Sequence, residues 1–118
     1  MSEIRNSKEF FVPLGNRERF RVRVDIRPTE PPSYCIQLEG WFDDARGWEP
    51  VVRADDFHGS PHLDFLSPSG VQWKQWLPER GDCKANMKAA ESWIRNNWKA
   101  QLERYKYELY GRGTPPER

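Results

Sequence analysis

Cysteine, histidine and net charge are all scarce in this chain of 118 residues. Two cysteines, Cys35 and Cys83, are too few for a disulfide framework, which excludes the small stapled scaffolds of secreted proteins. A formal net charge of +1 creates no global field for nucleic acid or an anionic membrane. Any such preference must come from a local patch. No apolar run reaches the roughly 18 residues of a membrane span. The opening residues, Met1 to Asn6, lack the apolar stretch of a signal peptide. The expected location is the cytoplasm, where both thiols stay reduced. Cys83 stands near an expected helix start, where a macrodipole lowers thiol pKa; otherwise it is an incidental small residue.

What the chain does have is rings and charge. Six Trp, six Phe and four Tyr stand among only 36% hydrophobic residues, so aromatic side chains must fill much of the core. The length fits one domain, expected over residues 9–110, with a flexible N-terminus at 1–8 and a flexible tail at 111–118. Phe10 to Val12 suggests a short first strand. Residues 19–27 alternate strictly: Phe20, Val22, Val24 and Ile26 on one face, with Arg19, Arg21, Arg23, Asp25 and Arg27 on the other. A period of two means a strand with one buried face.

The same alternation marks residues 34–42, with Tyr34, Ile36, Leu38 and Phe42 opposite Cys35, Gln37, Glu39 and Trp41. Trp48 to Asp55 returns as a strand after the Asp43–Gly47 turn. His62 to Leu66 and Val71 to Trp76 form a hairpin about Ser67-Pro68-Ser69-Gly70. Asp82 is placed to cap a helix over residues 83–109, and Gly111 to end it. Met87, Ala90, Ile94, Trp98, Leu102, Tyr105 and Leu109 give that helix one apolar stripe. The fold class is therefore α+β: an antiparallel meander of five to six strands with one long C-terminal helix across one face.

Both histidines lie in residues 53–66, beside Asp55, Asp56 and Asp64. This is the densest titratable chemistry in the chain. A metal reading needs His58 and His62 folded back onto one ion through Gly59-Ser60-Pro61. That spacing permits a site without being diagnostic, and neither metal nor cofactor is assigned. An acid–base reading needs less. His62 and Asp64 share one face of a strand, a carboxylate there orients the imidazole, and Arg53 is at hand for a phosphate. On this reading His58, His62, Asp55 and Asp64 are the catalytic candidates. On a structural reading Asp55 and Asp56 cap a turn and His62 bonds a backbone carbonyl.

Arg19, Arg21 and Arg23 share one strand face, with Trp41 on the same side of the next strand. Guanidiniums tracking phosphates and a ring stacking a base suit single-stranded nucleic acid, with Arg53 included in that surface. The helix adds Lys84, Lys88, Arg95, Lys99, Arg104 and Lys106. A solvated charged sheet face is the plainer account.

Several of these residues also form a pattern. Ile36 to Glu39, Trp48 to Arg53, Asp55, His58-Gly59, His62, Asp64, Gly70, Trp76-Leu77, Asn97-Trp98 and Tyr105 resemble a family of short, uncharacterised prokaryotic proteins, across roughly residues 20–107. The Asp55-x-x-His58-Gly59-x-x-His62-x-Asp64 loop is similar to that of the TumE-type toxins of toxin–antitoxin pairs. The resemblance implies a nuclease-like toxin acting on RNA, with RNA or an antitoxin-like protein as partner. It also leads one to expect an aromatic residue before Asp55, where this chain has Ala54. The alternative function is a non-enzymatic interaction module in which the His/Asp loop is structural.

Overall fold

A computed structural model describes residues 6–56 and 60–111. Six strands precede one helix: β1 Asn6–Pro13, β2 Glu18–Ile26, β3 Ser33–Trp41, β4 Trp48–Asp55, β5 His62–Ser67, β6 Gly70–Trp76 and α1 Cys83–Tyr110. All neighbours pair antiparallel in sequence order, so the sheet is an open meander with β1 and β6 at its edges. This is the α+β architecture the alternation calls for.

β1 is longer than its apolar residues suggest. It pairs along its whole length, from Asn6 opposite Ile26 to Pro13 opposite Arg19. An edge strand is held by its ladder and needs no buried face, so its polar half carries no period-two signal. Ile26, placed on the buried face by the alternation, is exposed at the end of β2. The helix packs mainly on β3, β4 and β5.

The helix forms where its caps allow. The Asp82 carboxylate accepts the Ala85 amide at 2.7 Å, and Gly111 takes φ 77° while its amide donates to the Tyr107 carbonyl. Ala90, Ile94, Leu102 and Tyr105 then bury against Phe20, Val22, Tyr34, Ile36, Leu38, Val51, Val52, Ala54, Leu63 and Phe65. Each fully buried large aliphatic here contributes about 1.5–3 kcal/mol before entropy is counted. Gly40 sets the distance of approach: a Cβ there would meet Leu102 Cδ1 at 2.7 Å and Phe42 Cζ at 2.9 Å.

Among the helix cations, Arg104 is far less exposed than Arg95. It is half-buried between the helix and the sheet, where its guanidinium donates to the Leu66 carbonyl at 2.7 Å and the Val51 carbonyl at 3.0 Å. Each carbonyl lies at a register shift. One falls between Leu38 and Glu39, leaving Val51 without a partner residue; the other falls between Phe65 and Leu66. A bulge leaves ladder groups unpaired, and a forked donor can serve two of them. Glu108 completes the set at 3.3 Å. Burial lowers the Arg104 pKa against that ion pair, yet a guanidinium remains charged.

Among the described residues, no helix is long and apolar enough to cross a membrane.

Candidate functional site

Alternation along each strand sends one set of side chains to the helix and the other to the open face of the sheet. On that open face four polar side chains are nonetheless buried: Gln37, Glu39, His62 and Asp64. They fall into two linked groups.

The first group is built by the β4–β5 register, which sets Asp55 opposite His62 and Arg53 opposite Asp64. Asp55, His62 and Asp64 thus share one face. His62 Nε2 lies 3.1 Å from Asp55 Oδ1 and 3.6 Å from Asp64 Oδ2. Its other ring nitrogen, Nδ1, donates to the Ser60 carbonyl at 3.0 Å, since a carbonyl only accepts. The hairpin brings two more side chains. Lys74 Nζ stands 3.8 Å from Asp64 Oδ1, and the Trp76 ring meets the imidazole edge-on at 5.3 Å between centroids. One ligand atom from each of Asp55, His62 and Asp64 lies within 4.8 Å of the other two.

Sequence reasoning brought Asp55, His62 and Asp64 together, and the register does so. His58 lies outside the described residues. The backbone carbonyl expected for His62 is that of Ser60, whereas Lys74 and Trp76 were missed. The Ser67–Gly70 turn carried a signal for these two, because a tight hairpin fixes which residues of β6 oppose β5. Asp56 is not part of the group. Its carboxylate accepts the Tyr34 amide at 3.0 Å, tying the end of β4 to the start of β3, and burial raises its pKa. Ala54 is fully buried on the helix side. An aromatic ring at that position would enter the core and not the face that carries Asp55.

The second group holds the arginines. Arg53 donates to Gln37 at 3.0 Å, Gln37 donates to Glu39 at 2.7 Å, and Arg19 donates to Glu39 at 2.8 Å. Arg21 approaches Glu39 at 3.6 Å and Glu9 at 3.8 Å, while Arg23 pairs with Asp25 at 3.0 Å. The Arg19 guanidinium lies 4.0 Å from the Phe11 ring centroid and 3.9 Å from that of Trp48. Trp41 is half-buried, edge-on to Trp48, and donates its indole N–H to Asp44. The predicted basic surface is therefore one continuous face, but each of its four strand arginines already meets an acid or an amide.

Of the two thiols, Cys35 is the ladder neighbour of Asp55 and Cys83 stands at the start of α1. Burial, reinforced by Asp55, pushes Cys35 up to about 11. Burial with Asp56 and Asp82 raises Cys83, so the expected macrodipole effect is outweighed by desolvation and neighbouring acids. Because the thiolate is the reactive form, Cys35 in the folded chain should alkylate about two orders of magnitude more slowly at pH 8 than an ordinary thiol. Peptide mapping after timed iodoacetamide treatment measures this, and rapid labelling at Cys35 would contradict it.

No curated protein and no solved structure matches the chain. A family model described as a domain of unknown function, DUF7718, matches residues 5–110. With that match running from before β1 to the end of α1, the chain belongs to the DUF7718 family.

Proposed function

We propose that the open face of the sheet is the working surface, and that the chain is a small cytoplasmic, toxin-like nuclease whose chemical centre is Asp55, His62 and Asp64. The observation that carries this reading is the position of His62 Nε2 between two carboxylates, with Nδ1 held by a backbone carbonyl. A histidine oriented through one nitrogen and flanked by acids at the other is the arrangement that proton transfer requires. RNA fits as substrate because its 2′-hydroxyl supplies an internal nucleophile. Cleavage then needs only a base for that proton and an acid for the leaving 5′-oxygen. Lys74, 3.8 Å from Asp64, would hold a phosphate there, and Arg53, the ladder neighbour on the other side, would join it on leaving Gln37. Arg19, Arg21, Arg23 and Trp41 extend the same face for the rest of the strand. An antitoxin-like protein would be the partner that covers it.

The test is incubation of the purified chain with total RNA beside His62→Ala. Cleavage by the wild type and loss in the variant is the expected result. Equal inactivity, or equal activity, removes the reading.

A second reading is a non-enzymatic interaction module. It is favoured by β6, an edge strand on which Val71, Trp73 and Trp76 are all exposed. Open edges with exposed rings suit pairing with another chain. In that case His62→Ala lowers the melting temperature and alters no activity, while Trp76→Ala weakens partner retention.

A further inference from the structure

Asp55, His62 and Asp64 support a second assignment. It rests on the same three residues as the proposed function but not on RNA being the substrate, and it gives His62 a different part: Nε2 becomes a ligand, and the proton-accepting group is water held by the ion instead of the imidazole. The contact with the Ser60 carbonyl places a proton on His62 Nδ1, so Nε2 offers a lone pair unless something positive sits against it. That nitrogen faces two carboxylate oxygens at 3.1 and 3.6 Å. A bare lone pair aimed at two anionic oxygens is unfavourable: a proton on Nε2 resolves the conflict in the acid–base reading, and a shared metal ion resolves it in this one. The two nitrogen–oxygen spacings suit such an ion, since bonds of about 2.0–2.1 Å in tetrahedral geometry set neighbouring ligand atoms roughly 3.3 Å apart, and all three ligand atoms lie within 4.8 Å of one another.

An independent observation points the same way. Asp64 is only 9% exposed, and its Oδ1 has no hydrogen-bond partner. Lys74 Nζ approaches that oxygen no closer than 3.8 Å, beyond hydrogen-bonding distance. A buried carboxylate oxygen left without a donor calls for an explanation, and a bound ion is one. The Ser60 carbonyl on the far nitrogen is also how metal-binding imidazoles are commonly oriented.

We infer that Asp55, His62 and Asp64 form a divalent-cation site of the zinc or manganese class, with three protein ligands and open positions for water or a phosphate oxygen. Lys74 shares the Asp64 carboxylate and competes with the ion. Arg53, paired across the ladder from Asp64, is turned aside to Gln37.

The probe is the ion alone. Chelator-stripped protein is titrated calorimetrically with zinc chloride and with manganese chloride. One of the two should bind at one ion per chain, and Asp55→Asn and Asp64→Asn should each weaken it by roughly tenfold or more. Lys74→Gln, which keeps every ligand, should tighten it. No saturable binding by the wild type, or binding unchanged in both Asp→Asn variants, overturns the inference. Full RNA cleavage in excess chelator removes the cation and leaves the centre as proposed. An ion bound at these three residues with no RNA cleaved keeps the cation and removes the nuclease reading.

Discussion

His62→Ala is expected to lower RNA cleavage by about 10²–10⁴-fold, the range for removing a positioned acid–base group. The size follows from how the ring is held. Nδ1 is committed to the Ser60 carbonyl and Nε2 to Asp55 and Asp64, and among the described residues there is no second imidazole to replace it. Alanine also removes a buried ring that packs against Trp76, so stability falls as well. His62→Gln separates the two effects. It retains volume and a polar end but cannot shuttle a proton, so its melting temperature should recover more than its cleavage. A variant whose cleavage recovers in step with its stability would show that the ring is only a strut.

Arg104→Ala is expected to destabilise the fold by about 3 kcal/mol, from charge-assisted hydrogen bonds lost and carbonyls stranded in an apolar layer. For a chain of this length that corresponds to a drop of roughly 10 °C in Tm. The guanidinium reaches two strands at once, and the carbonyls it serves sit where the ladder slips by one residue. Losing it also leaves Glu108 without its partner at 3.3 Å. Arg104→Lys keeps the charge but not the fork, so it should recover only part of the loss. Arg95→Ala is the contrast. Arg95 forms an i,i+4 pair with Glu91 at the exposed surface, and its removal should cost about 0.5 kcal/mol or less. Thermal melts of the three variants check the ordering. Equal effects for Arg95 and Arg104 would contradict it.

That contrast also marks what the sequence could tell. Arg95 with Glu91 and Arg104 with Glu108 look alike as helical charge pairs. Only the bulges in β4 and β6 distinguish them, and these arise where the sheet meets the helix. The strands were legible because Phe20, Val22, Ile36 and Leu38 alternate with arginines and polar residues, a pattern that only a one-sided sheet explains. β1 beyond its aromatic residues was not, because an edge strand borrows its order from β2.

The site was legible in part for a similar reason. His62 and Asp64 share a face by spacing alone, whereas Asp55 joins them only through the β4–β5 register. Arg19, Arg21 and Arg53 were readable as one face. Their capture by Glu39 and Gln37 depends on a cross-strand network that no single strand records. Cys83 shows the limit of a local rule: the helix start is where the caps place it, but burial and two acids decide its thiol.

The most direct test of the Asp55–His62–Asp64 centre is to measure RNA cleavage and Tm together on Asp64→Asn. On the proposed function, the Asp64 carboxylate, buried with an unpartnered oxygen, is kept for chemistry at a cost in stability. The amide should therefore leave Tm unchanged or raise it while reducing cleavage by about a hundredfold or more. A Tm several degrees lower with cleavage at the wild-type level would contradict the account and make the centre a structural fastening.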